Sequence, residues 1–136
     1  MKPLMFDGEI RALERALLSL SGRPLRVLEW GSGGSTVHFT RFLREHNIPY
    51  EWTSIEYNKN WFERVNVEVA DDPHTKLVLF DSGNNNILQP DNTMDEYVNY
   101  PAALGKKFDF ILVDGRKRRR CLLTAKEIVS PHGFVF

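Results

Sequence analysis

This chain has few features typical of membrane proteins, of disulfide-bonded proteins or of nucleic-acid-binding proteins. Its 136 residues include a single cysteine, Cys121, which cannot form an internal disulfide, and 18 basic residues balance 18 acidic ones. A net charge of zero provides no overall attraction to a polyanion. No apolar run approaches the roughly 20 residues that span a bilayer, and the N-terminal segment lacks the apolar core of a secretory signal. We therefore expect one soluble, cytoplasmic domain over residues 1–136, without membrane contact.

Apolar residues at helical intervals alternate with short apolar runs along the whole chain. Five runs are predicted as strands, most of them with little polar alternation: residues 25–30, 50–56, 76–80, 108–113 and 133–136. Helices are predicted between them, with Asp7 and Ser35 as N-caps, Thr93–Glu96 as a capping box, and helical segments over Asn60–Val67 and Arg116–Val129. This order indicates an α/β fold: a Rossmann-like, doubly wound, mostly parallel sheet of about five strands in a three-layer αβα sandwich.

The sequence VLEWGSGGST, residues 27–36, leads from the first predicted strand into a turn with three glycines. Residues without a Cβ permit positive φ and let a ligand approach the backbone, although glycines also occur where a turn is merely tight. Parallel sheets bind ligands at the carboxyl ends of their strands, where this turn lies. Glu56 ends the next strand 25 positions after Gly31, near the offset of about 20 residues at which an acid meets a ribose in dinucleotide folds.

Two features of the turn argue against a bound dinucleotide. Thr36 stands where the pattern G-x-G-x-x-G requires a third glycine, and Glu29 lies two positions before Gly31. A pyrophosphate binds at a helix N-terminus and disfavours a neighbouring carboxylate. The acid favours a ligand with a cationic group, and S-adenosylmethionine has an ammonium, a sulfonium and an adenosine ribose but no phosphate. An enzyme that uses NAD is the weaker alternative.

Three segments resemble class I S-adenosylmethionine-dependent methyltransferases. VLEWGSGGST is similar to their motif I, SIEYNKNWFERV to the segment with their ribose-binding acid, and residues 108–136 to their fourth strand, the following helix and the fifth strand. The resemblance implies S-adenosylmethionine as the cofactor. It also implies the following contacts: Glu29, Gly31, Ser32 and Gly33 at the methionine part, Glu56 at the ribose hydroxyls, Tyr57 beside the adenine, and Asp81 and Ser82 at the adenine edge.

Asp114 ends the fourth predicted strand, and the resemblance implies a position for it beside the transferred methyl group. We expect it to act as the catalytic base, a metal ligand or a substrate anchor, and an Asp-Gly pair that only forms a turn is the alternative. No further cluster of acids or histidines has the spacing of metal ligands, so we predict no metal site.

Residues 116–120, RKRRR, form a run of five positive charges. At helical spacing such side chains point in several directions, which is typical of a solvated face, and a nucleic-acid partner is therefore not predicted. Arg116, two positions after Asp114, is expected to anchor an acidic group of the substrate.

The end of the chain departs from the family pattern, because these methyltransferases usually continue past the fifth strand with a helix and a β-hairpin. The sequence ends at Phe136, inside the predicted fifth strand, so we expect an apolar sheet edge with unpaired backbone groups. Either the chain is a fragment, or a second copy covers this edge in a homodimer. We expect methyl transfer to a small-molecule or sugar-like acceptor by in-line displacement. The alternative is a non-catalytic module with a degenerate methyltransferase fold that binds cofactor or a partner.

Overall fold

Five strands form one sheet in the computed structural model, which describes residues 1–81 and 92–136. The strand order is β3-β2-β1-β4-β5, and each pair of neighbours is parallel. This confirms the predicted Rossmann-like α/β sheet. The bounds are β1 (Leu25–Trp30), β2 (Tyr50–Glu56), β3 (Thr75–Leu79), β4 (Phe108–Val113) and β5 (Val129–Val135).

Helices cover both faces of the sheet and bury a separate apolar cluster on each. On one face α1 and α2 pack against β1, β2 and β4, and on the other face α4 and α5 pack against the same sheet. Strand alternation divides β1 between these clusters, because Val27 faces α1 and α2 whereas Leu28 and Trp30 face α4 and α5. The helices are α1 (Asp7–Ser19), α2 (Gly34–Glu45), α3 (Lys59–Glu68), α4 (Asp95–Asn99) with a following 3₁₀ helix (Tyr100–Leu104), and α5 (Arg118–Ile128).

Three predicted helix starts are wrong. Asp7 is the first residue of α1 rather than its N-cap, and its carboxylate lies in the first turn, where the helix dipole favours an acid. Ser35 lies inside α2, which begins at Gly34, because its hydroxyl donates to a buried carboxylate instead. The capping box at Thr93 does not form, since Met94 has a left-handed backbone with φ of 53° directly before α4.

The predicted fifth strand is too short and the helix before it too long. β5 begins at Val129, where α5 ends, so the chain passes from helix to strand without a loop. Pro131 and Gly133 obscured this strand in the sequence, because both residues are rare in strand interiors. The structure places them in an edge strand, next to an irregular register between Phe108 and Phe110 of β4.

The strand order reverses beside β1. The chain runs from β1 outward through β2 to β3 and then returns to the other side of β1 with β4. A crevice opens at the carboxyl ends of strands at such a switch point. Gly31 and Asp114 are the first residues beyond β1 and β4, and the Asp114 N–H donates to the Trp30 carbonyl at 2.9 Å. The turn and the acid therefore meet at this crevice.

Candidate functional site

A cleft of about 350 Å³ lies at the carboxyl ends of β1, β2 and β4, beside the start of α3. Its volume is at the lower end of the range for small-molecule sites. The structure brings five of the predicted site residues together here: Gly31, Ser32, Glu56, Tyr57 and Asp114. The remaining lining residues are Asn58, Asn60, Trp61, Arg64 and Gly115.

Gly31 has to be glycine for two independent reasons. Its φ is +89°, a region that other residues rarely adopt. A Cβ at this position would also lie 2.3 Å from the carbonyl oxygen of Asp114. The absent side chain therefore lets the β1 and β4 ends approach each other as closely as they do.

The other two glycines of the turn are explained by packing inside the protein. A Cβ on Gly34 would lie 1.9 Å from the carbonyl oxygen of Lys2, so this glycine makes room for the N-terminal segment and not for a ligand. Gly33 lies beside the indole of Trp61, and its N–H donates to the Thr36 hydroxyl at 3.0 Å. Only the Gly31 and Ser32 part of the turn lines the cleft.

Glu56 is 2% exposed and its carboxylate accepts four hydrogen bonds from the protein. Ser32 donates to Oε1 twice, from its N–H at 2.9 Å and from its hydroxyl at 2.7 Å. The N–H groups of Tyr57 and Asn58 donate to Oε2 at 3.1 and 3.0 Å. Glu56 therefore ties the glycine turn to the beginning of α3 at the floor of the cleft.

Glu29 does not line the cleft, because strand alternation turns its side chain towards α2. It is fully buried and accepts hydrogen bonds from Thr36 at 2.5 Å, Ser54 at 2.6 Å and Trp52 at 3.3 Å. Ser35 donates to its second oxygen. Burial raises the pKa of Glu29 to about 7, although these hydrogen bonds act to lower it. Glu29 therefore lies beneath the turn and contacts hydroxyl groups of the protein. The sequence-based expectation was that it would contact the ligand.

No family model and no curated protein matches the sequence. Among solved structures, the CMeT domain of the citrinin polyketide synthase is 22% identical and superposes with a TM-score of 0.63 over 95% of this chain and 34% of that one. A SAM-dependent methyltransferase from Thiobacillus denitrificans, in complex with S-adenosyl-L-homocysteine, is 17% identical with a TM-score of 0.61, over 99% of this chain and 49% of that one. Coclaurine N-methyltransferase, bound to N-methylheliamine and SAH, is 14% identical with a TM-score of 0.56, over 99% and 37%.

The chain shares the Rossmann-like fold of these methyltransferase structures. It spans between about a third and a half of the length of these structures. At these identities the likeness extends to the fold, and the residues of the site have to be judged from their own geometry.

Within this fold, Asp114 stands at the rim of the cleft. Its side chain is 47% exposed, and its Oδ1 accepts a hydrogen bond from Arg118 at 2.9 Å. Arg118 also donates to the Gly115 carbonyl at 3.1 Å. Arg116, the predicted anchor, is exposed and does not line the cleft. The cation that contacts Asp114 is Arg118, four positions after it and the first residue of α5.

Asp81 lies in a neighbouring cleft of about 400 Å³, between the end of β3 and the segment that leads into α4. The two clefts are separated by Tyr57 and Tyr97, whose rings pack edge to face with centroids 5.8 Å apart. Ser82, the other residue predicted at the adenine edge, lies outside the described residues.

The sequence-based prediction placed α3 within one residue of its bounds but missed the contribution of its first turn to the cleft. Asn58 caps this helix by accepting the Trp61 N–H at 3.0 Å, and the Trp61 indole donates to the Ser32 carbonyl at 2.6 Å. Arg64 lies over the same indole, 4.9 Å from its centre. The signal was present in the sequence, because an asparagine directly before a helical segment is a preferred N-cap. Its position over the glycine turn depended on the packing of α3.

Residues 1–81 and 92–136 contain neither a candidate metal cluster nor a helix fit to span a membrane. No three His, Cys, Asp or Glu side chains in these ranges form a group that could hold a metal ion. No helix in the same ranges is long and apolar enough to cross a membrane.

Proposed function

We propose that the cleft binds S-adenosylmethionine and that the protein transfers its methyl group to a small-molecule or sugar-like acceptor. The observation that carries the proposal is the meeting of Gly31, Ser32, Glu56, Tyr57 and Asp114 at the switch point of a methyltransferase fold. These residues end or follow three of the predicted strands, β1, β2 and β4. The solved structures that share the fold include methyltransferases with S-adenosylhomocysteine bound, which supports the choice of cofactor.

Each part of the cofactor has a proposed partner in the chain. The backbone at Gly31–Gly33 would receive the methionine part, Glu56 would accept hydrogen bonds from the ribose hydroxyls, and Tyr57 would flank the adenine. We also propose that Asp81 and Ser82 contact the adenine edge. Because Glu29 lies beneath the turn, we propose that it acts through Thr36, which accepts the Gly33 N–H and donates to Glu29, and so positions the turn.

Methyl transfer requires a nucleophile in line with the sulfonium and the methyl carbon. Alignment alone can lower the barrier by several kcal/mol. We propose Asp114 as the group that accepts the proton of an oxygen nucleophile or anchors the acceptor, since it lies at the rim of the same cleft. The contact with Arg118 orients its carboxylate. Arg116, which is exposed and lies two positions after Asp114, would contact an acidic group of the acceptor.

The test is a calorimetric titration of the folded protein with S-adenosylhomocysteine. We expect saturable binding at one site and weaker binding of NAD in a parallel titration. A protein with a cooperative unfolding transition that binds neither compound would refute the proposal, and tighter binding of NAD would replace it with a dehydrogenase. Transfer of a labelled methyl group to pools of small-molecule acceptors, with Asp114→Asn as the comparison, then tests turnover.

The exposed edge of the sheet favours a second function, that of a cofactor- or partner-binding module. Phe134, Val135 and Phe136 are 38%, 37% and 45% exposed along β5, and no described strand pairs with the outer edge of β5. We propose that a second copy of the chain covers this edge. Sedimentation of a stable dimer, together with cofactor binding and no methyl transfer to any acceptor pool, would favour the module. We also propose a cytoplasmic location, which the single, buried Cys121 fits.

A further inference from the structure

The carboxylate of Glu56 has no unused position for a ligand. A carboxylate offers about four lone-pair sites, and Glu56 accepts four hydrogen bonds, two at each oxygen. A ribose hydroxyl that donates to Glu56 must therefore displace one of the present donors or share an acceptor position with it. The identity of the donor that gives way decides how the site binds.

Three of the four donors are backbone N–H groups and are held in place. The N–H groups of Tyr57 and Asn58 belong to the short connection between β2 and α3. The backbone of Ser32 is fixed on both sides, since its N–H donates to Glu56 and its carbonyl accepts the Trp61 indole N–H at 2.6 Å. The fourth donor, the Ser32 hydroxyl, can leave Glu56 by rotation about a single bond.

We propose that the Ser32 hydroxyl occupies the position on Glu56 that a ribose hydroxyl requires, so that Ser32 restrains the binding of ribosyl ligands. The inference rests on the proposed function, and it reverses the expected effect of this side chain. The backbone of Ser32 contributes to the site, whereas its hydroxyl competes with the ligand. Ser32 is therefore an affinity-determining residue, and removal of its hydroxyl strengthens binding.

The experiment compares Ser32→Ala with the wild-type protein by calorimetric titration with S-adenosylhomocysteine. Loss of a competing hydrogen bond to a carboxylate should raise the affinity by about 10-fold to 150-fold. Ser130→Ala is the matched control, because Ser130 is also 8% exposed and its hydroxyl also donates to a buried carboxylate, that of Asp109 at 3.0 Å. This control should leave the affinity unchanged.

A second comparison tests whether the gain depends on the ribose hydroxyls. Adenosine and 2′,3′-dideoxyadenosine are titrated into both proteins and followed by NMR. The gain from Ser32→Ala should appear with adenosine and be absent with the dideoxy compound. Ser32→Gly replaces Ser32→Ala if the alanine variant does not fold, since it removes the same hydroxyl.

Each outcome separates this inference from the proposed function. If the wild type binds and Ser32→Ala binds equally well or more weakly, the inference is wrong and the proposed function stands. An equal gain with both nucleosides would also contradict it. If only Ser32→Ala binds S-adenosylhomocysteine, the inference is supported and the proposed function fails for the wild-type protein. If neither folded protein binds any of these compounds, the proposed function fails and the inference fails with it.

Discussion

Replacement of Glu29 by glutamine should remove a pH dependence of folding that this buried carboxyl creates. Burial raises the pKa of Glu29 from its ordinary value of 4.5 to about 7. Between these values the folded protein holds a proton that the unfolded chain has released. The free energy of unfolding therefore falls as the pH rises from 4.5 to 7, and above that range both states are ionised and the loss is complete.

The size of the effect follows from the shift in pKa. Because Glu29 is fully buried, the difference between its folded and unfolded states is not screened by solvent. It corresponds to a loss of about 3 kcal/mol of unfolding free energy between acidic and mildly alkaline pH. The Glu29→Gln variant has no titrating proton at this position, and its amide can still bond with the hydroxyls of Ser35, Thr36 and Ser54.

Urea unfolding at a series of pH values from about 4.5 to 8 measures this loss. Contributions from all other titrating groups are common to both proteins, so the difference between wild type and Glu29→Gln isolates position 29. Glu63→Gln on the exposed side of α3 serves as the control and should follow the wild type. If the difference in unfolding free energy between wild type and Glu29→Gln is the same at both ends of the pH range, within about 0.5 kcal/mol, the buried carboxyl does not have the raised pKa.

Three further changes test other parts of the structure. Gly31→Ala should destabilise the protein by at least about 3 kcal/mol in urea unfolding, because it combines positive φ with a Cβ 2.3 Å from the Asp114 carbonyl, and a smaller loss would show that the turn adjusts. Glu56→Ala should weaken S-adenosylhomocysteine binding by about 1–3 kcal/mol in calorimetry, and unchanged affinity would remove Glu56 from the site. Asp72→Asn should destabilise the protein near neutral pH by about 1–3 kcal/mol. Burial acts to raise the pKa of Asp72, but hydrogen bonds from Thr75 and Tyr50 hold it below its ordinary value. The cost of Asp72→Asn should therefore shrink as the pH falls through that pKa, and a cost independent of pH would contradict this assignment.

The strands at the centre of the sheet could be predicted to the residue. β1 and β4 have the bounds expected from their apolar runs, because central strands covered by helices on both faces are rich in apolar residues. β2 has the bounds expected from its alternating aromatic and β-branched residues. The edge strands were less well predicted. β3 is shifted by one position from residues 76–80 and β5 starts four positions before Gly133, since an edge strand also contains polar and exposed residues.

The approximate composition of the cleft followed from the sequence as well. Gly31, Glu56 and Asp114 end or follow strands that the pattern identified, and the carboxyl ends of parallel strands lie at one edge of a sheet. The contacts of the cations near Asp114 could not be predicted in this way. Whether Arg116 or Arg118 reaches the carboxylate depends on where α5 starts, and a shift of two residues turns a side chain to another face of the helix.

The sequence by itself determined the alternation of strands and helices and the residue types at the strand ends, because these depend on local periodicity and chain order. The tertiary structure alone decided what those residues contact. The Glu29 side chain lies beneath the glycine turn, among hydroxyl groups. The Glu56 carboxylate accepts hydrogen bonds from the protein itself, and the missing Cβ of Gly34 makes room for the N-terminal segment. The physical reason is that a side chain's partners are set by which helix covers its face of the sheet, and that packing joins residues far apart in the chain.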